Sequence, residues 1–175
     1  KKKVFYDNLW DDELVESRGK VLLEDGTVVI NPFTKIFNYG ENGTTIDLNE
    51  KCLWVSKING FMAAATYVPE VGEVVVSTTG SLDSDFVTLA EKYITEVIKG
   101  KIADQFHDMT LLFEVCDPSD LHIIDENPGI YLLGIRRVSE TLPYISSWNN
   151  ELDLDDIAKV LGVLRPKHGS ALFED

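Results

Sequence analysis

The sequence predicts an α+β domain built on antiparallel sheets, and three observations carry that prediction. Strand-like and helix-like segments come in blocks and not in regular strand–helix alternation. The tight-turn dipeptides Asp25-Gly26 and Asn59-Gly60 separate apolar runs of strand length. One long segment, 84–99, instead carries its apolar residues at helical spacing. A mixed α/β sheet is the alternative reading.

Taken in order, Lys20–Glu24 and Thr27–Ile30 flank Asp25-Gly26 as a hairpin, and Asn31-Pro32 ends the pairing. Residues 33–38 form a short aromatic-basic segment, and 38–43 is a loop by its turn residues. Cys52–Lys57, Phe61–Val68 and Glu73–Ser77 read as three strands of an antiparallel meander, joined by Asn59-Gly60 and by 69–72. Lys57 then stands where the first of these strands enters its turn. Ser84 caps a helix reaching Lys99, with Phe86, Leu89, Ala90, Tyr93, Ile94 and Val97 on one face and Gly100 closing it. Met109–Val115 and Ile130–Ile135 are buried strands, and Asp153–Leu161 is a short helix ending at Gly162.

With 175 residues, 44% of them hydrophobic, the chain is expected to form a single domain (1–175) with a sizeable core. It is too apolar for a disordered chain. It has no apolar run near the ~20 residues of a membrane helix, so no membrane association is expected. The start, KKKVFYDNLWDD, lacks the apolar stretch of a secretory signal. Cys52 and Cys116 each lie in an apolar run and read as two reduced core thiols, which suggests a cytoplasmic compartment. Thirty acidic against sixteen basic residues give −14, which disfavours non-specific binding to a phosphate backbone but leaves room for a local basic cleft.

Lys57, at the end of an apolar strand and before Asn59-Gly60, places an amine at the mouth of a sheet. A lysine amine with its ordinary pKa of ~10.4 needs burial or nearby cations to become a nucleophile. On K-x-N-G alone, an exposed lysine at a strand end explains the residue better than a catalytic one.

Further segments change that balance. Ser56-Lys57-Ile58-Asn59-Gly60, followed by a strand ending in Ala65-Thr66-Tyr67, resembles the K-x-D-G signature of covalent nucleotidyltransferases. Glu16-Ser17-Arg18-Gly19 resembles E-x-R-G, and Pro32-Phe33-Thr34-Lys35-Ile36-Phe37-Asn38 resembles K-F-F-N. Ser77-Thr78-Thr79-Gly80-Ser81, Leu112-Phe113-Glu114-Val115 and Leu132-Leu133-Gly134-Ile135-Arg136 resemble S-x-G-S, F-E-F-V and L-L-N-V-R. In this order, over residues 13–137, they resemble the ATP-dependent RNA ligases of the T-even phage type.

The resemblance implies an antiparallel-sheet nucleotidyltransferase (adenylylation) domain of the ATP-grasp-like ligase type. It implies ATP and Mg²⁺ as cofactors and RNA 5′-phosphate and 3′-hydroxyl ends as partners. Lys57 would attack the α-phosphate of ATP to give a lysyl-AMP. Gly60 would let the backbone come close to the nucleotide, and Asn59 stands in place of the signature's Asp with a hydrogen-bonding side chain but no charge. Arg18 and Lys35 would hold the triphosphate, and Phe37 corresponds to an aromatic near the site, where packing explains it equally well. Glu114 would contact the ribose or a metal-bound water, which makes it the candidate metal residue. The strand 130–135 would line the adenine pocket. A cytoplasmic protein is implied, of the host cell if the chain is phage-encoded.

Departures from the pattern leave other readings open. Thr79 stands where the phage type carries a lysine, and the chain contains no E-G-x-V segment and no K-x-K pair after the matched residues 13–137. The domain is therefore expected to be incomplete toward its C-terminal end. DNA sealing, GTP-dependent capping and a catalytically impaired nucleotide-binding module are the competing functions.

The remaining polar clusters read as structural. His107-Asp108 and His122 are expected in loops, without cysteines at zinc-ligand spacing. Glu151, Asp153, Asp155 and Asp156 suit the dipole at a helix start, and Trp54 is expected in the core. No G-x-x-x-x-G-K-[ST] loop occurs, which excludes a P-loop ATP site.

Overall fold

The computed structural model describes residues 4, 7, 9–47, 49–120, 126–139 and 150–172. His122 and Trp148 lie outside them. In chain order the elements are α1 (Asp12–Glu16), β1 (Val21–Leu22), β2 (Val28–Ile30), β3 (Lys51–Val55), β4 (Phe61–Val68) and β5 (Glu73–Thr78). There follow α2 (Asp85–Tyr93), α3 (Glu96–Gln105), β6 (Met109–Cys116), β7 (Gly129–Arg137), α4 (Glu151–Leu161) and β8 (His168–Leu172).

The four longest strands form one antiparallel sheet in the order β5-β4-β6-β7. Strand side chains alternate between faces, so β4, β5 and β6 supply both layers of the core. Ala63, Val76, Phe113 and Leu132 face the helices, where Val87, Ile98, Ile102 and Leu154 cover them. Ala64, Val68 and Leu112 face the opposite side, where Val29 and Ile30 of the β1–β2 hairpin pack. The run Ala63-Ala64-Ala65 is at most 2% exposed, and its small side chains let both layers approach β4 closely. Polar pins hold the hairpin: the Thr110 hydroxyl accepts from the Asn31 N–H at 2.9 Å and from the Thr66 hydroxyl at 2.8 Å.

The hairpin turn at Asp25-Gly26 forms as the sequence predicts, with Gly26 at φ +89° and the Asp25 carboxylate accepting from the Thr27 N–H. The turn at 69–72 between β4 and β5, the strands β6 and β7, and the Gly162 cap of α4 also form as expected. Cys52 and Cys116 are both free thiols, but only Cys116 is buried in the core; Cys52 is half-buried on the largely exposed β3.

Three expectations are corrected. The meander is wrong at its first strand: β3 pairs with β8, in a separate two-stranded sheet. Its physical reason is that β4 has two edges, and β5 and β6 occupy both. The helix predicted over 84–99 is two helices. Ile94, fully buried, leaves helical geometry at φ −82°, ψ 72°, and Thr95 begins α3, which contains Gly100 and runs on to Gln105. That break turns Val97 out to 68% exposure, while Ile98 and Ile102 take the core positions. Trp54 is 47% exposed and not in the core; its ring lies across Gly169 of the small sheet, where a Cβ would sit 2.8 Å from the indole.

Candidate active site

The antiparallel order brings the candidate segments to one end of the large sheet. Thr78 pairs with Ala63, Met62 with Glu114, and Glu114 with Tyr131. The start of β4, the ends of β5 and β6 and the start of β7 therefore share one edge. Residues 56–60 cross to that edge from the small sheet, where the Ser56 N–H still bonds the Lys167 carbonyl at 2.7 Å. Lys57 is the first residue beyond that anchor, and its ammonium is exposed at the sheet mouth.

Around it the polar groups are closely coupled. Lys57 Nζ donates to Asn59 Oδ1 at 3.1 Å. The Asn59 N–H and its Nδ2 both donate to Glu126 Oε1, at 3.1 and 3.0 Å. One residue on, the Gly60 N–H donates to Glu114 Oε1 at 3.1 Å. Gly60 faces β6 so closely that a Cβ would lie 2.2 Å from the Val115 carbonyl oxygen. The neighbouring strand thus requires glycine there, independently of any nucleotide. Burial, with the nearby carboxylates of Glu114, Glu126 and Asp120, pushes the Cys116 thiol up to about 11, which leaves it a thiol at neutral pH and no rival nucleophile.

A second group lines a cavity of about 980 Å³ that includes Arg18, Lys20, Lys35, Trp10 and the turn 78–82. Lys35 Nζ stands 4.3 Å from the Phe37 ring centroid and 5.7 Å from that of Trp10, and the two rings meet edge to face at 5.6 Å. These contacts hold the amine on the aromatic faces. Gly19, at φ +74°, lets the chain after Arg18 pass close to Thr79, whose Cα would lie 3.2 Å from a Cβ at this position.

The segments that carry the cavity cations are tied to one buried ion pair. Arg136 Nη2 donates to both oxygens of Glu16, at 2.9 and 3.1 Å, while its Nη1 donates to the Pro32 carbonyl at 2.8 Å. Glu16 also accepts from the Thr34 hydroxyl at 3.0 Å and from Lys20 at 3.2 Å. Burial opposes its ionisation, but the hydrogen bonds from Arg136, Thr34 and Lys20 and the charge of Arg136 outweigh that and hold the carboxyl below the usual range. The Lys35 N–H bonds the Val15 carbonyl at 2.8 Å. Glu16 thereby ties α1, which leads into Arg18, to the segment 32–35 and to β7.

A family model described as RNA ligase matches residues 16–168. The chain belongs to the RNA ligase family. RNA ligase 1 of Bacteriophage TS2126 is 33% identical to it over 140 residues, covering 71% of this chain and 35% of the phage protein. The chain thus spans about a third of that relative's length. Two solved structures of an archaeal ATP-dependent RNA ligase, forms 1 and 2, superpose with a TM-score of 0.60 each at 18% and 16% identity. In each case the match covers 89% of this chain and 42% of the other. At that identity the likeness shows the fold alone, a mixed helix-and-sheet domain with antiparallel sheets like that of the archaeal ligase.

Of the residues singled out in the sequence, Lys57, Asn59, Gly60 and Glu114 come together at the sheet end, Arg18 and Lys35 line the cavity, and Phe37 packs against the Lys35 ammonium. Lys57 and Glu114 are not among the described residues that line the cavity. Sequence reading missed Glu126, Lys20, Trp10 and the pair Glu16–Arg136 as site residues. The last two stood inside quoted motifs, and opposite charges in two separate motifs were the available signal. Among the described residues no group of three or more His, Cys, Asp or Glu side chains is arranged to hold a metal ion. Glu114, the candidate metal residue, accepts from the Gly60 N–H and belongs to no such group.

The acidic run of α4 also has a fuller explanation than a helix dipole. Arg165 bonds both Glu151 and Asp155, the latter at 3.1 Å, and His168 Nε2 lies 3.0 Å from Asp155. Burial raises the Asp155 carboxyl, but His168 and Arg165 outweigh it and hold it below the usual range. The cluster fastens β8, and with it β3, beside α4.

Proposed function

We propose that this chain is the adenylylation domain of an ATP-dependent RNA ligase. The observation that carries the reading is the convergence at one sheet end of Lys57, Gly60 and Glu114 with a turn, 78–82, that borders a cavity holding Arg18, Lys20 and Lys35. Three cations around one hollow suit a polyphosphate, because phosphoryl transfer depends on positioning and charge neutralisation. In this reading the cavity takes the triphosphate and Lys57 faces the α-phosphorus.

The chemistry runs in three displacements. Lys57 Nζ, having lost a proton to solvent, forms a bond to the α-phosphorus as the bond to the pyrophosphate oxygen breaks, and pyrophosphate leaves with that electron pair. A 5′-phosphate oxygen of RNA next attacks the lysyl-AMP phosphorus and returns the amine. The 3′-hydroxyl then attacks the activated 5′-phosphate, loses its proton, and AMP departs. Glu114 and the Gly60 N–H fix the start of β4, and so the base of the nucleophile's loop. Arg18 and Lys35 stabilise the charge that gathers on the phosphates.

Incubation of the protein carrying this chain with α-labelled ATP, followed by 5′-phosphorylated RNA, tests the proposal. Label on the protein that passes to RNA is the expected result. Label from GTP alone would indicate capping, and transfer only to DNA would indicate DNA sealing. A second reading, a nucleotide-binding module without covalent chemistry, is favoured by the absence of Lys57 from the cavity's described lining. ATP binding with no label would establish it.

A further inference from the structure

We propose that Glu126 is a positioning residue for the nucleophilic lysine, fixing through Asn59 which side of that amide faces the ammonium. This rests on the reading of Lys57 as the nucleophile. An asparagine amide presents an oxygen on one side and an NH₂ on the other, and nothing in its own chemistry decides which side faces an ammonium. Glu126 decides it. Its Oε1 accepts from Asn59 Nδ2 at 3.0 Å and from the Asn59 backbone N–H at 3.1 Å. With the NH₂ group engaged there, Oδ1 is the side left for Lys57 Nζ, at 3.1 Å.

The arrangement is a chain of charge-assisted bonds, ammonium to amide to carboxylate. The two bonds to Glu126 fix both the backbone and the side chain of Asn59, so the loop carrying Lys57 is pinned from a residue 67 positions away. Glu126 is half-buried and Lys57 exposed, so the carboxylate's hold is less screened by solvent than a direct surface pair would be. Glu126 does not touch the ammonium, and its part is to orient the group that does.

Charge relocation makes a specific prediction. Glu126→Gln removes the charge at one end, and the formation of lysyl-AMP should slow about tenfold, the size of one charge-assisted hydrogen bond. The KM for ATP should stay unchanged, since the cavity cations are untouched. Asn59→Asp alone sets two carboxylates against each other and should also slow the reaction. The double variant Asn59→Asp with Glu126→Gln restores one carboxylate beside Lys57, with an amide behind it to donate, and should return to within about threefold of wild type. A loss confined to the labelling rate, with the KM for ATP and the Tm unchanged in each single variant, is something a merely structural role would not produce.

The test is the single-turnover rate of labelling from α-labelled ATP in these variants of the protein carrying this chain. It is paired with the ¹⁵N spectrum of the Asn59 side-chain amide, which should shift in Glu126→Gln whatever the rate. Wild-type label with unchanged rates in all three variants would overturn the role of Glu126 and leave the ligase reading standing. Additive losses in the double variant would overturn it too. No label on wild-type protein, or label that survives Lys57→Ala, would overturn the ligase reading and this role with it.

Discussion

Arg136→Met removes the cation on which the cavity wall hangs. In the folded chain Arg136 and Glu16 side chains are only 6% and 12% exposed, so their charges are withdrawn from water and depend on each other. The substitution leaves the Glu16 carboxylate with Lys20 at 3.2 Å and Thr34 at 3.0 Å, and removes the guanidinium donor from the Pro32 carbonyl. Breaking one side of a buried pair costs about 3–5 kcal/mol, and the surviving partners of Glu16 place this case near 3 kcal/mol. For a chain of this length that corresponds to a fall in Tm of roughly 6–12 °C. Urea unfolding followed by circular dichroism measures it directly. The pH dependence follows from the direction of the Glu16 shift. A carboxyl held below its usual value contributes stability that is present above its unfolded pKa and lost as pH falls through the lowered folded one. The advantage of wild type over Arg136→Met should therefore be full at neutral pH and narrow as pH drops below ~4. A deficit under about 0.5 kcal/mol at neutral pH, or one that stays constant into acid, would refute the account of a buried, mutually dependent pair.

Gly60→Ala should destabilise the chain by about 1–3 kcal/mol, because its Cβ meets the Val115 carbonyl at 2.2 Å and the backbone must part there. Hydrogen exchange at the start of β4 should rise with it, and unchanged exchange would contradict the contact. Phe37→Leu removes the ring 4.3 Å from the Lys35 ammonium. It should weaken ATP binding about threefold, the worth of an exposed cation–π contact, in equilibrium titration, with little change in Tm. Equal binding by the two proteins would show that the ring packs without steering the lysine.

How far the sequence reveals the molecule depends on the range of the interaction. The turn at Asp25-Gly26, the caps at Ser84 and Gly162 and the buried runs of β6 and β7 are local and appear where residue chemistry predicts them. The β3–β8 pairing is not local: β3 lies next to β4 in the chain, and only the occupation of both β4 edges sends it more than a hundred residues away. Periodicity alone also hides the break at Ile94, since one buried isoleucine and a following threonine cap look like a continuing helix face. In the candidate site, Lys57, Gly60 and Glu114 were legible as motif residues. Glu126, in contrast, is one acid in an acidic chain, and Glu16 and Arg136 are 120 positions apart. Their importance lies in partners that three-dimensional proximity alone supplies.

In the proposed reaction Lys57 carries the nucleotide. The most direct measurement is peptide mapping by mass spectrometry after incubation of the protein with ATP, alongside Lys57→Ala. The account predicts AMP on the peptide containing Lys57, through a bond stable to alkali and labile to acid as a phosphoramidate is, and no AMP on the variant. AMP on another residue, or an unmodified protein that still binds ATP, would contradict it.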